Sequence, residues 1–397
     1  MVRIKGLVKE RPEKMRNADI PTGSVELEPH ELEVLNTSET PPMPLDTDGY
    51  EIGEDTRHEW RYLDLRRPRL ARNLKARHDG QLFIRNWLDS HGFLEIETPI
   101  LTRSTPEGAR DYVVPSRLYP GTFFALPQSP QQYKQLLMVA GIEKYFQFAR
   151  CFRDEDTRGD RQPEFTQLDL EMSFVNREEV MAVNEELLIA LVTKLYPHKK
   201  IQQVPFPHIT YADAISKYGT DRPDLREDKN NPDVLAFCWV IDFPFFEKID
   251  DPPAGGWTFT HNPFSAPKPE HMPWLLSGEH IGEILTTQYD VVLNGWEIGG
   301  GSIRNHTPEA LQAVFRIMGF EDARITENFG HMLTALAHGA PPHGGIAWGW
   351  DRLVALLHNE PNIREVLAFP KTGDARDLMM HSPASISQKQ LRELHLK

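Results

Sequence analysis

The chain has 397 residues, 40% of them hydrophobic and 26% charged, with a formal charge of −14. That length can bury a large core and suits one big domain plus a smaller unit. The acidic balance excludes wholesale coating of nucleic acid but leaves room for a local basic surface, and no run of 18 apolar residues is available to span a membrane.

Residues 2–8 and 24–36 read as short strands joined by a polar turn, and the Pro-rich stretch 40–49 reads as a linker. The start, "MVRIKGLVKERPEK", lacks an apolar signal-peptide core, so a cytoplasmic location is expected. Eight basic residues lie in Arg57–Arg77 against Glu59 and Asp64, which is expected to be a solvated helix face and hinge. A helix is predicted from about Leu70 to His91, with Phe83, Ile84, Trp87 and Leu88 on one face and Gly92 as its stop. "FLEIETPIL" then alternates as a strand that Pro99 ends.

A polar loop, "TRSTPEGARDY", and a strand edge entering a helix, "ALPQSPQQYKQLLMVAG", lead to residues 150–169, "RCFRDEDTRGDRQPEFTQLD". Its two flanks read as arms of one antiparallel hairpin. Alternation puts Phe146, Phe148 and Phe152 with Leu168, Leu170 and Met172 on one side, and Arg153, Glu155, Gln167, Asp169 and Glu171 on the other. A wet polar face is the bland reading. The sharper one is an anion site, in which Arg153 offers a fork of donors oriented by Glu155 while Arg158 and Arg161 fold over a nucleotide. Arg150 falls on the apolar side without explanation.

A helix is expected near 177–196, then a long Pro- and Gly-rich loop, 249–274. In "YDVVLNGWEIGGGSIR", Asn294-Gly295 is a strong two-residue turn signal, pairing Val292 with Glu297 and placing Asp290 on their face. Two carboxylates so placed can share a hydrated magnesium ion. Strict alternation would turn Arg304 away from Glu297, so the glycines at 299–301 are expected to break the pleat. Strand-rich segments adjoin instead of alternating with helices, which favours an α+β fold with an antiparallel sheet. Cys151 and Cys238 have no partners at metal-ligand spacing and read as reduced core thiols.

"FRDE" followed by "RQPEF" closely resembles motif 2 of the class II aminoacyl-tRNA synthetases. The helix and strand ending at Pro99 resemble motif 1, the dimer-forming element, and "GGIAWGWDR", 344–352, resembles motif 3. "STPEGARD", "LPQSPQQYKQLLMVAG", "GWEIGGGSIR" and "GAPPHGGIA" are similar to the bacterial-type, aspartate-specific members, from about residue 50 to the end.

The resemblance implies ATP-dependent ligation of L-aspartate to tRNA through an aspartyl-adenylate, with Mg2+ and a homodimer. It implies that Arg153 bridges the α-phosphate and the aspartate α-carboxylate, that Arg352 holds the γ-phosphate, and that Glu155, Arg161, Phe165 and Gln167 frame the nucleotide. Lys134 and Arg304 match the cations for the side-chain carboxylate, with Asp169 holding both. Ser129, Gln131 and Glu107 match residues around the α-ammonium, and His261 a lid over the nucleotide. By themselves Asp290 and Glu297 could be two carboxylates on a wet hairpin; with these motifs flanking them they are expected to hold the metal. Trp348 and Trp350 stand where Phe and Leu are commoner and are expected to be larger core neighbours of Arg352.

Two departures accompany it. Residues 1–39 look like the last part of a five-stranded anticodon-binding OB-fold, 40–69 a linker or hinge, and 70–397 the catalytic domain. The large inserted domain of bacterial relatives is missing near 221–236. An aspartate-activating paralogue serving or amidating another acceptor is thus an alternative. A degenerate binding module fits less well, because the arginines and carboxylates are retained.

Overall fold

The computed structural model describes residues 1–104, 108–249 and 256–396 and divides into Met1–Ile52 and Gly53–Lys397. In the first unit, β1 (Val2–Glu10) and β2 (Val25–Val34) form an antiparallel hairpin. Val2, Ile4 and Val8 oppose Val34, Leu32 and Leu27, while the Arg3–Glu33 and Lys5–Glu31 ion pairs cross the other face.

The second unit is built on β3 (Leu94–Glu95), β4 (Lys144–Phe152), β5 (Glu164–Ser173), β6 (His208–Thr210), β7 (Phe237–Ile241), β8 (Tyr289–Leu293), β9 (Trp296–Ile303) and β10 (His343–Gly349). They join in the order β3-β4-β5-β10-β9-β8-β7-β6. The inner neighbours are antiparallel and each edge strand is parallel to its neighbour. The fold is α+β.

Helices α1 (Pro68–Ser90), α2 (Gln131–Val139), α3 (Arg177–Leu195) and α4 (Trp350–Leu357) are placed by their sequences. Pro68 starts α1, and Gly92 beyond its end takes φ +79°. Asn176 and Glu179 form a reciprocal capping box on α3. One face of the sheet packs on α1, α3 and α4: Phe146, Leu168, Leu170, Val291, Ile346 and Trp348 meet Ile84, Leu88, Leu187, Leu191 and Leu353 in one buried cluster. Trp348 and Trp350 are fully buried, as expected. Trp350 fits because Gly80 of α1 has no side chain; a Cβ there would lie 2.7 Å from the indole.

Two expectations fail. The strand after Gly92 has only two ladder residues, beside Tyr145 and Phe146, because Thr98 turns its hydroxyl to Gln147 and Pro99 has no N–H to pair. The basic stretch is solvated only in part: Arg66, Arg72 and Lys75 are exposed. Arg57, Arg61, Arg67 and Arg69 are buried. Arg57, Arg61 and Arg67 surround Asp64, Arg57 and Arg69 meet Glu365, and Arg69 also meets Glu360 at 2.6 Å. Arg61 further donates to the carbonyls of Arg364, Leu367 and Ala368. The hinge expected at 40–69 therefore ends in helical turns fastened to the 360–368 segment.

Candidate active site

The β4/β5 hairpin has the expected register, with Phe146 opposite Leu170 and Phe148 opposite Leu168. Arg150 sits where this apolar face runs out and donates to Thr166 and Glu164 at 3.2 and 2.7 Å. The opposite side is not wet. Asp169 and Glu171 have no exposure, and Lys134 of α2 and Arg304 after β9 are buried against them.

Lys134 Nζ lies 2.6 Å from Asp169 and 3.2 Å from Glu171, whereas Arg304 pairs with Glu171 through Nε and Nη2 at 2.9 and 3.1 Å. Asp169 was expected to hold both cations; the holder of Arg304 is Glu171. Burial pushes Asp169 above the ordinary carboxyl range against the pull of Lys134. Burial acts on Glu171 in the same direction, but Arg304 and Lys134 outweigh it and hold Glu171 at about 2. Arg304 also donates to Ser302 Oγ and Gly345 O. Among the described residues, these contacts leave at least one N–H on each cation for a ligand.

The Asn294-Gly295 turn forms, with φ of +52° and +87°, and Val292 pairs with Glu297. Val291 then pairs with Gly299 and Asp290 with Gly300, so Ile298 is an extra, bulged residue. The pleat breaks there, one residue before the glycine run expected to break it. The bulge changes the parity of β9, so Glu297 before it and Ser302 and Arg304 after it line the same cleft. The glycines do a different job. A Cβ at Gly300 would lie 2.8 Å from Asp290 Oδ1 and 3.7 Å from Glu297 Oε1, so its absence keeps open the space on which both carboxylates converge.

Burial and the Glu297 charge push Asp290 well above its ordinary range, and Gln288 donates to Asp290 Oδ1 at 3.1 Å. Among the described residues, no three His, Cys, Asp or Glu side chains converge as a metal cage. Two carboxylates in open space fit a hydrated divalent ion that takes its other ligands from water and phosphate.

Arg153 stands at the end of β4 with its guanidinium 5.2 Å from the centre of the Phe165 ring. It has no carboxylate partner among the described residues, and its buried Nε makes no hydrogen bond. Glu155 was expected to orient Arg153; it lies instead 3.6 Å from Arg161. Arg352 on α4 donates to the carbonyls of Glu297 and Asp160 and meets the Asp160 carboxylate at 3.3 Å. The 153–163 loop is tied down on its outer side: Ile363 N donates to Gly159 O, and Gln162 and Lys371 exchange hydrogen bonds. His261 follows Trp257–Phe259, which pairs with Phe246–Lys248, so the loop expected at 249–274 holds a short ribbon. Its ring stands edge-on to Phe243 at 4.7 Å.

One cleft of about 470 Å³ gathers Ser129, Gln131, Lys134, Arg153, Glu155, Arg161, Phe165, Gln167, Asp169, His261, Asp290, Glu297, Arg304 and Arg352. Glu107 lies outside the described residues. Sequence reasoning put Glu171 on the right side but gave it no role; spacing two from Asp169 on a strand was the signal. It missed Gln288 and Ser302 entirely. Cys151 and Cys238 are both buried thiols outside any disulfide; Cys151 Sγ donates to Gln167 Oε1 at 3.3 Å, and burial pushes the Cys238 thiol up to about 12.

Residues 53–373 match the family model described as tRNA synthetases class II (D, K and N). The whole chain is similar to the "Aspartate--tRNA(Asp/Asn) ligase" of Rubrobacter xylanophilus, at 40% identity over 85% of that protein. It is 38% identical to the "Aspartate--tRNA ligase" of Listeria monocytogenes over 87% of that one. The first alignment runs over 518 positions against 397 residues here, so long stretches of that relative have no counterpart. Among solved structures, asparaginyl-tRNA synthetases carrying asparaginyl-adenylate share the fold. The Entamoeba histolytica protein has a TM-score of 0.71 at 21% identity, covering 94% of this chain and 83% of that one. The Pyrococcus horikoshii protein has 0.71 at 22%, covering 94% and 82%.

Proposed function

The chain belongs to the class II tRNA synthetases, in their aspartate–tRNA ligase branch, and from that premise we propose how its cleft carries out the ligation. The reaction joins L-aspartate to tRNA in two transfers. An oxygen of the aspartate α-carboxylate attacks the α-phosphorus of ATP, and the bond to the bridging oxygen breaks as pyrophosphate leaves. A ribose hydroxyl of the tRNA end then attacks the activated carbonyl, loses its proton, and AMP departs. Neither transfer needs a protein nucleophile, so the residues act by positioning and by meeting charge.

In this reading Arg153 bridges the α-phosphate and the α-carboxylate. Its guanidinium is the cleft arginine not spent on a carboxylate among the described residues, and that single observation carries the assignment. Arg352 takes the γ-phosphate, exchanging carbonyl contacts for phosphate oxygens. Phe165 stacks on adenine, with Glu155, Arg161 and Gln167 framing the bent nucleotide and His261 closing over it. Asp290 and Glu297 would hold a magnesium ion, which when bound neutralises charge on the ATP phosphates.

The remaining N–H groups of Lys134 and Arg304 receive the side-chain carboxylate, over a floor of Asp169 and Glu171. Asparagine would present an amide N–H₂ to these donors, which disfavours it. Ser129, Gln131 and Glu107 surround the α-ammonium. A homodimer through α1 and the strand after it, a cytoplasmic location, and an OB-fold remnant in the first unit complete the reading. The segment 221–236, where the inserted domain of relatives is expected, contains a local Arg226–Asp224 ion pair at 2.8 Å.

The test pairs aspartate-dependent ATP–pyrophosphate exchange with aminoacylation of total tRNA. Both are expected with aspartate and neither with asparagine. Exchange without transfer would move the reading to the paralogue with another acceptor, and exchange driven by asparagine would sink the cation assignment.

A further inference from the structure

Gln131 enters the cleft from the first turn of α2, and its amide is held by a chain of contacts that ends on the main chain. Its Nε2 donates to Oε1 of Gln135, one turn on, at 3.1 Å. Gln135 Nε2 lies 3.1 Å from His343 Nε2, and His343 Nδ1 lies 2.7 Å from the carbonyl of Pro341. Gln135 and His343 have no exposure and Gln131 has 5%.

Each link has one possible sense. A carbonyl oxygen only accepts, so His343 Nδ1 carries the proton. The neutral ring then has a lone pair on Nε2, which accepts from the Gln135 amide. Gln135 must therefore turn its oxygen to Gln131, and Gln131 must spend its nitrogen there. What remains on the far side of the Gln131 amide is Oε1, which has no donor among the described residues. Burial keeps the ring neutral, with Arg304 and His306 acting in the same direction and Glu171 and the Pro341 contact against it. With the opposite tautomer every amide in the series would reverse, and Gln131 would present N–H groups to the cleft.

We propose that Gln135 and His343 are positioning residues that set the polarity of Gln131, so that the cleft meets the substrate's α-ammonium with an oxygen. The proposal rests on the reading of Gln131 as a contact of that ammonium. It gives the cleft a means of selecting an amino acid over a plain dicarboxylic acid that the cations alone do not provide.

Gln135→Met, similar in volume, cuts the series. In the full-length protein, exchange assays give KM for aspartate and for ATP, and succinate, which is aspartate without its amine, serves as a competitive inhibitor. KM for aspartate is expected to rise roughly 10-fold, as for loss of one hydrogen bond to a charged group, with KM for ATP and inhibition by succinate unchanged. In a Gln131→Ala background the same substitution is expected to add nothing. Equal weakening of aspartate and succinate, or an undiminished loss in that background, overturns the proposal. Gln131→Ala alone separates the underlying reading: an aspartate-to-succinate preference equal to wild type removes the ammonium contact itself. Should Gln135→Met not fold, 15N-histidine spectra of the wild-type protein decide. A neutral Nδ1–H ring at His343 is expected, and an Nε2–H ring or an imidazolium at neutral pH overturns the proposal.

Discussion

Two groups of buried charge in this molecule are built from the same residue types and differ in what is left over. Around Asp64, Glu360 and Glu365, four arginines end on carboxylates or carbonyls, and none of these residues lines the cleft. In the cleft, Lys134 and Arg304 are similarly matched by Asp169 and Glu171, yet beside them Asp290 faces Glu297 and Arg153 faces Phe165. Glu365 and Glu171 are both held at about 2 by arginines that outweigh burial, whereas Asp290 is pushed up. Buried ion pairs therefore do not distinguish scaffold from site. Unmatched charge does, because its desolvation is compensated only when a ligand supplies the partner.

The sharpest way to break this comparison is to unbalance the closed group. Glu365→Ala leaves Arg57 and Arg69 buried without it, and a loss of about 3–5 kcal/mol in unfolding free energy is expected, read by urea denaturation. A loss under about 1 kcal/mol would put this cluster with surface pairs. Arg153→Ala should do the reverse: exchange slows by roughly 100-fold or more while the denaturation midpoint holds. An unchanged rate would remove its assigned role. Lys134→Leu should raise KM for aspartate far more than KM for ATP, and equal losses would refute the side-chain assignment.

Two smaller effects depend on pH. Glu365 and Glu171 have depressed values, so their stabilisation is complete above the ordinary glutamate range near 4.5 and is lost as pH falls toward about 2. Acid unfolding followed by fluorescence should therefore lie in that window and flatten in Glu365→Gln. Asp290 has the opposite sign. Its raised value means that the ATP-free protein holds a proton there above the ordinary aspartate range, and magnesium must displace it. Magnesium affinity should rise with pH across that interval, with proton release visible by calorimetry in two buffers. A pH-independent affinity would place the metal elsewhere.

Much of the hairpin was legible because strands alternate strictly, and Phe146, Leu168 and Asp169 fall where a period of two puts them. The shared cleft of Glu297 and Arg304 was legible only as a contradiction, since nothing in "WEIGGGSIR" marks Ile298 as the residue that bulges. The Arg57 cluster was invisible for a different reason. Its partner Glu365 lies 308 positions away, and a local charge run gives no hint of so distant a carboxylate. Arg150 looked anomalous because alternation says which side a residue faces but not where that side ends.

The outer bracing of the nucleotide loop has a consequence for how the protein is made. Gln162 is fastened by Lys371, 209 positions later, and Gly159 by Ile363. The ribosome delivers the loop long before its braces, and the hairpin carrying it can pair while the strap is still unsynthesised. In a chain halted before residue 363 the loop has neither the Ile363 contact on Gly159 nor the Lys371 contacts on Gln162, so a looser grip on nucleotide is expected until synthesis is complete.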